Sequence, residues 1–219
     1  MKEDTYKHIL DSIYHAKIHF SDLNANIENK EHNIKWIILS THHAAETYLR
    51  FVLQETDPEN SILHIFNKQG IQWYPAVAAV VEELEKIQHK LTLPDMTLLG
   101  TIEELTNSRN EIMHRSGPFK AKASIVALPL LLLSRAVRTR FNLQTSSLFD
   151  QSPPIEQNLF AELSNEQMSF YVRFMESFLL KQAPIHNISQ CVNCAGMTVL
   201  FSGSACEACF EAQNFAPGD

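Results

Sequence analysis

Apolar residues recur every three or four positions through most of residues 1–142, which is the spacing of one buried face on an α-helix. In the second predicted helix, for example, Ile34, Ile38 and Leu49 fall on the same side. Polar stretches with proline or glycine separate the periodic segments. The pattern therefore predicts an all-α bundle. Its expected helices cover residues 4–20, 31–55, 75–90, 93–116 and 121–142.

The last of these helices carries the longest apolar run of the chain, residues 125–133, which includes Pro129. A helix that is apolar on nearly all sides has no face suited to water. We therefore expect it either at the centre of the bundle or in an interface between subunits. The run is far shorter than the ~20 residues that cross a bilayer, so no membrane partner is expected.

The composition changes after residue 142. A linker containing serine and proline is followed by a helix predicted over 165–181, in which Phe170, Phe174 and Phe178 form a stripe. This helix either docks on the bundle or carries the tail. The predicted organisation is a helical bundle over 1–142, a linker and docking helix over 143–184, and a small cysteine-bearing module over 185–219.

All four cysteines of the chain lie in this tail, as two Cys-x-x-Cys pairs separated by 11 residues. Each pair directs two thiolates at one ion, and two pairs complete the tetrahedral site that zinc favours. The gap holds Met197–Phe201 between glycines, which is enough for a small β-hairpin. We therefore predict a zinc ribbon with a structural ion that has no open position for catalysis. The predicted ligands are Cys191, Cys194, Cys206 and Cys209.

Charge and the first residues of the chain narrow the classes of function. With 219 residues and a net charge of −7, the chain is too acidic for a general nucleic-acid coat protein. Between Arg109 and Arg140, however, seven basic residues accompany one acid, Glu111, which predicts a local basic surface.

There is no apolar segment typical of a secretory signal, and the cysteine spacing is typical of a reducing compartment. We expect a cytoplasmic protein.

The predicted helix over 93–116 carries a charged group in an apolar position. Arg109 falls where an apolar stripe of this helix needs another apolar residue. The residues that recur at helical spacing along the stripe are Leu98, Ile102, Leu105 and Ile112. A guanidinium there is costly unless an anion meets it. His114 lies four residues after Asn110, so the amide can orient the imidazole. Since Arg binds phosphate as a planar fork and His moves protons near neutral pH, the pattern indicates a site that handles phosphate.

The run Arg109-Asn110-x-x-x-His114 resembles the signature of the HEPN superfamily, small helical domains of which many cut RNA. Asparagine directly after arginine makes this match much more specific than an Arg-to-His spacing alone. A second stretch, His43–Arg50 with Glu46 inside it, resembles the "Ala-x-Glu, then apolar, then basic" run of the family's second helix. The resemblance covers roughly the first two thirds of the chain and implies a HEPN-like bundle.

This resemblance implies a metal-independent endoribonuclease, of the kind that serves as a toxin or an antiphage-defence effector. Two protomers of a homodimer would bring their motifs together in one cleft. His114 would act as general base on the ribose 2′-hydroxyl or as general acid on the leaving oxygen, while Arg109 would stabilise the transition state. RNA is the expected substrate, zinc is structural, no cofactor serves catalysis, and a protein partner or antitoxin is a further candidate. The implied catalytic residues are Arg109, His114, Asn110 and Glu46.

In members of the family controlled by nucleotidyl transfer, a tyrosine stands two places after the histidine. Here Ser116 stands there, which puts that control in doubt. One alternative is a catalytically inactive HEPN module that binds RNA or a nucleotide, or scaffolds a complex through its zinc ribbon.

Two further interpretations of the motif stay open as well. In one, Arg109 is a structural cation neutralised by Glu46 or Glu111, and His114 is a hydrogen-bonded structural residue. In the other, Glu111–His114 supplies the Glu-x-x-His of a di-iron centre, although the chain has no second such motif. Serine hydrolases and NTPases are disfavoured because the Gly-x-Ser-x-Gly and phosphate-loop motifs are missing from the sequence.

Overall fold

The structure is a computed structural model that describes residues 2–25, 29–68, 75–114, 124–141, 155–183, 185–200 and 205–210. The chain divides into two compact units, Met1–Leu143 and Gln144–Asp219. The described residues are mostly helical, with a two-stranded sheet in the second unit. The predicted all-α fold with a small cysteine-bearing appendage is thereby confirmed. Among the described helices, none combines the length and the apolar composition that a bilayer crossing requires.

The first unit is a bundle built around its second helix, α2. Its helices are α1 (Lys2–Ala25), α2 (Lys30–Thr56), α3 (Ile62–Lys68), α4 (Val77–Lys86), α5 (Leu93–Leu99), α6 (Ile102–His114) and α7 (Ser124–Phe141). All the other helices of the unit pack against α2, and its Ile37, Ile38 and Val52 are completely buried. Burial of each such side chain contributes roughly 1.5–3 kcal/mol, so the apolar stripe predicted from the sequence is what draws the bundle together.

The predicted continuous helix over 93–116 is interrupted in the structure, so this prediction is wrong. The break follows Gly100, a residue with low helix propensity. There the hydroxyl and the backbone N–H of Thr101 both donate to the Leu98 carbonyl oxygen, at 2.9 and 3.0 Å, and close a tight turn. As a result α6 begins as a separate helix at Ile102. The stop predicted at Gly117–Pro118 lies outside the described residues.

The apolar run of residues 125–133 lies in α7, at the centre of the bundle. Val126, Leu131 and Val137 are almost fully buried, and α7 packs against α2, α5 and α6. Of the two expectations for this run, the central position is the one observed. Its apolar surface is used inside the unit and therefore gives no argument for a subunit interface.

The basic surface predicted between Arg109 and Arg140 is only partly present. Arg138 is 6% exposed, and Arg140 forms an ion pair with the buried Asp95. Both belong to α7, and because α7 is central these two cations lie within the unit instead of adding to an outer surface. The prediction is wrong for these two residues. Other members of the tract lie outside the described residues: Arg115, Lys120 and Lys122.

The carboxylate of Asp95 ties three helices together. Asp95 is fully buried, and its Oδ1 lies 2.6 Å from the Tyr48 hydroxyl of α2, which donates to it. Its Oδ2 accepts from the Thr92 hydroxyl at 2.7 Å and from the Arg140 guanidinium of α7. Burial, together with the adjacent carboxylate, raises the pKa of Tyr48 far above its usual value, so the phenol stays a neutral donor. A buried charge satisfied in this way determines how α2, α5 and α7 meet.

We expect Asp95→Ala to lower the free energy of unfolding of the first unit by about 3 kcal/mol. The physical reason is that Arg140 loses its carboxylate partner in a largely buried position, while the Tyr48 hydroxyl keeps only the Ala136 carbonyl oxygen as acceptor. Denaturant unfolding followed by tryptophan fluorescence measures this loss, because both tryptophans, Trp36 and Trp73, belong to the first unit.

Glu31→Ala is a matched control for this measurement. It removes a carboxylate whose ion pair with Lys35, at 2.8 Å, lies on the surface, so the stability should change by less than about 0.5 kcal/mol. If Asp95→Ala cost no more than this control, the buried network would not hold the three helices together.

The second unit combines two helices with a small antiparallel sheet. Its elements are α8 (Ile155–Ala161), α9 (Asn165–Gln182), β1 (Ile188–Gln190) and β2 (Met197–Leu200). Phe160 of α8 packs against Tyr171 of α9, with ring centroids 6.2 Å apart, and Phe174 continues the cluster. The linker predicted after residue 142 thus contains a helix, while residues 142–154 lie outside the described part of the chain.

Candidate functional site

The four cysteines converge on one point. Their Sγ atoms all lie within 4.8 Å of one another, and the Cys191–Cys209 and Cys194–Cys206 sulfur distances are 3.6 and 3.8 Å. Four thiolates about 2.3 Å from a tetrahedral zinc ion stand about 3.8 Å apart. The cluster therefore has the dimensions of a four-cysteine metal site and is consistent with a zinc-binding module. No second group of three or more potential metal ligands occurs within the described ranges.

The two cysteine pairs form equivalent turns. In each turn the sulfur of the first cysteine, Cys191 or Cys206, accepts two backbone N–H groups at 3.3–3.5 Å. The carbonyl oxygen of that cysteine accepts the N–H of the residue after the pair, Ala195 or Phe210, at 3.0 Å. The hydrogen bond from the Cys194 thiol to the Cys206 sulfur is the main cause of two opposite shifts: it lowers the pKa of Cys206 and raises the pKa of Cys194 to about 11. Donors directed at sulfur favour the thiolate form that a metal ion requires.

The β-hairpin lies elsewhere than predicted. We expected it inside the gap between the two cysteine pairs, but β2, which occupies that gap, pairs with β1, which precedes Cys191. The first cysteine turn is therefore the loop of the hairpin, because this turn already reverses the chain. A bridge between Val199 and Cys206 brings the second turn alongside. Residues 201–204 lie outside the described residues.

Helix α9 holds the first cysteine turn through a close backbone contact. The backbone N–H of Met197 donates to Glu176 Oε1 at 2.8 Å. Gly196 has no room for a side chain, because a Cβ atom there would lie 2.4 Å from Val172 Cγ1. Helix α9 therefore carries the tail, which is one of the two roles that the sequence left open.

A left-handed backbone follows each cysteine pair. Ala195 has φ 58° and Phe210 has φ 62°, a conformation that costs a residue with a Cβ atom about 1–2 kcal/mol. We expect Ala195→Gly to stabilise the second unit by about 0.5–1 kcal/mol, since the greater freedom of glycine in the unfolded chain offsets part of the relief. Slower amide hydrogen exchange over residues 188–200 in the variant would show this stabilisation. Ala183→Gly, where φ is −133°, is the control that should gain nothing.

Arg109 lines a cleft in the first unit. The cleft has a volume of about 400 Å³ and is formed by α2, α6 and the start of α4. Arg109 is half-buried, between the core-facing position that the sequence suggested and a fully exposed one. The polar side chains of the lining are His42, Glu46, Arg50, Thr106, Arg109 and Asn110.

Glu46 supplies the carboxylate of this cleft. Its Oε1 accepts from the Arg50 guanidinium, and its Oε2 lies 3.7 Å from His42 Nδ1. Arg50 also donates to the Pro75 carbonyl oxygen and so anchors the α4 end of the cleft. Residues four apart on a helix share a face, so α2 presents these three side chains as one row. The structure thus brings Glu46 and Arg109 to one cleft, with Arg50 as the direct partner of the carboxylate.

His42 is a buried imidazole of the same cleft. It is 4% exposed, and its Nε2 lies 3.3 Å from the Thr106 hydroxyl oxygen on α6. Burial lowers the pKa of His42, the charge of Glu46 acts in the opposite direction, and the positive charge of Arg109 lowers it further. The sequence predictions did not place His42 or Arg50 in the site. The signal that could have found them is their spacing of four residues on either side of Glu46.

Asn110 and His114 are both exposed. The Asn110 Oδ1 accepts from Arg109 Nη1 at 3.0 Å, so the amide is paired with the guanidinium and not, as expected, with the imidazole. His114 ends α6 and is not part of the lining of the cleft. Five residues at about 100° per residue place its side chain about 140° around the helix from Arg109. One chain therefore does not present both motif residues to the same cleft.

Comparisons with protein-family models, with curated protein sequences and with solved structures give no match in any of the three. The fold and the site together place the chain in a broad class: a helical protein with a C-terminal four-cysteine cluster that is consistent with zinc binding. The resemblance to HEPN domains continues to rest on the motif residues themselves: Arg109, Asn110, His114 and the segment around Glu46.

Proposed function

We propose that this protein is a metal-independent endoribonuclease of the HEPN type. The observation that carries the proposal is that two separate motif segments, Arg109–Asn110 on α6 and Glu46 on α2, line one cleft. These segments are far apart in the chain, and each was selected by its own match to the family's pattern. A cleft that combines guanidinium, carboxylate and imidazole groups is suited to chemistry on a phosphate. By the same resemblance, the biological role is that of a toxin or an antiphage-defence effector.

The proposed reaction is attack of a ribose 2′-oxygen on the adjacent phosphorus. The P–O5′ bond breaks, which leaves a 2′,3′-cyclic phosphate on one product and a 5′-hydroxyl on the other. His114 takes the proton of the 2′-hydroxyl or supplies the proton of the leaving oxygen. Arg109 stabilises the negative charge that grows on the phosphorane-like transition state. No metal ion is needed, because imidazole groups provide the proton transfers and the guanidinium provides the charge.

The position of His114 supports a composite site between two protomers. Arg109 and His114 point about 140° apart around α6, so a single copy of the helix cannot direct both at one phosphate. A two-fold axis near the end of α6 would bring the His114 of each protomer to the cleft of the other protomer. We therefore propose a homodimer. This reasoning does not depend on α7, which is buried inside the bundle.

We propose that Cys191, Cys194, Cys206 and Cys209 hold one structural zinc ion. The sulfur separations fit a tetrahedral ion, and the backbone N–H groups favour thiolates. Four cysteines complete the coordination, so the ion offers no position to a substrate.

The charge of the second unit favours a protein partner over RNA as the ligand of the tail. Residues 144–219 contain eight Asp or Glu residues and two Lys or Arg residues. Four thiolates around a divalent zinc ion add further negative charge. An RNA strand would be repelled from such a surface, whereas a basic partner, such as an antitoxin, would be attracted.

A catalytically inactive HEPN module that binds RNA or a nucleotide is the second candidate. The observation that favours it is the location of His114 outside the cleft of its own chain. In that case the cleft would bind an anion, but α6 would place no imidazole beside it for proton transfer.

The direct test is brief incubation of the purified protein with total RNA in excess chelator. A nuclease of the proposed type cuts RNA under these conditions and leaves 2′,3′-cyclic phosphate ends, which end-specific ligation detects. RNA that stays intact while still bound would support the second candidate. Cleavage that requires added Mg²⁺ or Mn²⁺ would contradict the proposed chemistry.

A further inference from the structure

The cleft around Arg109 holds more positive than negative charge. Arg109 and Arg50 supply two guanidinium groups, and Glu46 supplies one carboxylate. Arg50 is only 3% exposed, so its ion pair with Glu46 is largely withdrawn from water. Because this buried pair is neutral, the excess positive charge of the cleft is that of Arg109, which is half-buried at the same cleft and attracts an anion.

The start of α4 adds to this attraction. Pro75, Ala76, Val77 and Ala78 line the same cleft, and α4 has no side-chain hydrogen bond at its N-cap, Ala76. The first backbone N–H groups of a helix and its dipole favour negative charge. The cleft thus combines two guanidinium groups with a helix end that lacks a side-chain cap.

We propose that this cleft is a proton-linked binding site for one phosphodiester group, held by Arg109 and Arg50, and that His42 takes up a proton as the anion enters. The proposal rests on the proposed function for the source of the anion, an RNA strand, but it concerns binding and not cleavage.

The position of His42 suits this role. Its two ring nitrogens face different partners, Glu46 at 3.7 Å and the Thr106 hydroxyl at 3.3 Å. Only the protonated ring carries a proton on both nitrogens, so only this form can donate to the Thr106 hydroxyl oxygen and form an ion pair with Glu46 at once. A protonated His42 would share the Glu46 carboxylate, which allows the Arg50 guanidinium to turn toward the anion.

The groups that face His42 determine whether a proton is taken up or released when the anion binds. Without the anion, burial is the main cause that lowers the pKa of His42; Glu46 raises it, while Arg109, His43 and Arg50 lower it. A phosphodiester in the cleft places negative charge near the ring, so the pKa of His42 rises on binding. Between the two pKa values a proton enters with the anion, and the affinity becomes stronger as the pH falls.

The test is isothermal titration calorimetry of the full chain with a 2′-deoxy oligonucleotide. Its phosphodiesters do not titrate near neutral pH, and without a 2′-hydroxyl it cannot undergo the proposed cleavage. Titrations in buffers of different ionisation enthalpy count the protons taken up. We expect uptake approaching about one proton per cleft at a pH between the pKa of His42 in the free protein and its raised pKa in the complex, and an affinity that falls by up to about tenfold per pH unit across that window.

Three variants make the test specific. Arg109→Ala should weaken binding of the oligonucleotide at least about tenfold. His42→Gln should still bind but without proton uptake and without the pH dependence. His43→Gln is the matched control: it removes the neighbouring exposed histidine, which is not in the lining of this cleft, and should leave the uptake unchanged. If His42→Gln does not fold, NMR titration of His42 in the wild-type protein, with and without the oligonucleotide, replaces it.

The outcomes separate this proposal from the nuclease proposal. Binding without proton uptake, uptake that persists in His42→Gln, or an unshifted His42 titration overturns the proton-linked site, whether or not RNA is cut. Proton-linked binding by a protein that leaves RNA intact supports the site and rejects the nuclease. RNA cleavage combined with binding that does not depend on pH supports the nuclease and rejects the proton-linked site.

Discussion

Arg109→Ala and His114→Ala should each slow RNA cleavage by about two to four orders of magnitude while the protein stays folded. Loss of a general acid or base typically costs this much, and loss of a charged group that stabilises the transition state costs a similar amount. Neither side chain belongs to the apolar core, since Arg109 is half-buried beside a cleft and His114 is exposed. Initial rates on one defined RNA in chelator, with circular dichroism of each variant, measure the effect.

Two exposed residues provide matched controls for this prediction. Arg173→Ala on α9 and His89→Ala in the turn after α4 remove the same types of side chain, and neither residue is in the lining of the cleft. Both should keep the wild-type rate. Cleavage that persists in both motif variants would place the active site elsewhere, and an equal loss in the controls would indicate a general effect of surface charge.

Mixing the two inactive variants tests whether the site is shared. In a heterodimer of an Arg109→Ala protomer with a His114→Ala protomer, one of the two composite sites contains both an intact Arg109 and an intact His114. Part of the activity should therefore return on mixing. A strictly monomeric protein that cuts RNA at the full rate would exclude the composite site.

Cys206→Ser should abolish the binding of one zinc ion per chain and unfold the residues after about Ile185, while the first unit stays folded. The strands β1 and β2 are three and four residues long, and Ile188, Val199 and the cysteines make up most of the buried side chains around them. Such a small module has too little core to fold without its metal. Zinc binding to small modules of this type contributes about 10–16 kcal/mol, so loss of one ligand is a large effect.

Elemental analysis and hydrogen exchange resolved by segment test this prediction. The tryptophans report only on the first unit, so their fluorescence should be unchanged in Cys206→Ser while exchange over residues 188–200 becomes fast. Ser177→Ala, an exposed position on α9, is the control that should keep both zinc and protection. Pure wild-type protein without zinc, or with disulfides between these cysteines, would contradict the assignment.

The helices were predictable because apolar periodicity is a property of one segment at a time. Helix α2 was expected over 31–55 and spans Lys30–Thr56; the helix expected over 165–181 spans Asn165–Gln182. The break at Gly100 was missed because the periodic pattern continues across it, while a local hydrogen bond to Leu98 ends the helix. The pairing of β2 with β1 was missed because the apolar pattern of β2 does not show which neighbour it pairs with: β2 pairs with β1 on one side and forms a bridge to Cys206 through Val199.

The sequence by itself determined the helical class and the four cysteines of the C-terminal cluster, since both depend on residue type and on spacing within short segments. Only the tertiary structure decided which polar side chains meet. Arg109 shares a cleft with His42 and Arg50 because α2 and α6 pack together, and helix packing depends on the whole bundle. The same packing decided that His114 lies outside that cleft. Helix α6 must bury its apolar stripe, and this burial sets the rotation that turns the imidazole away.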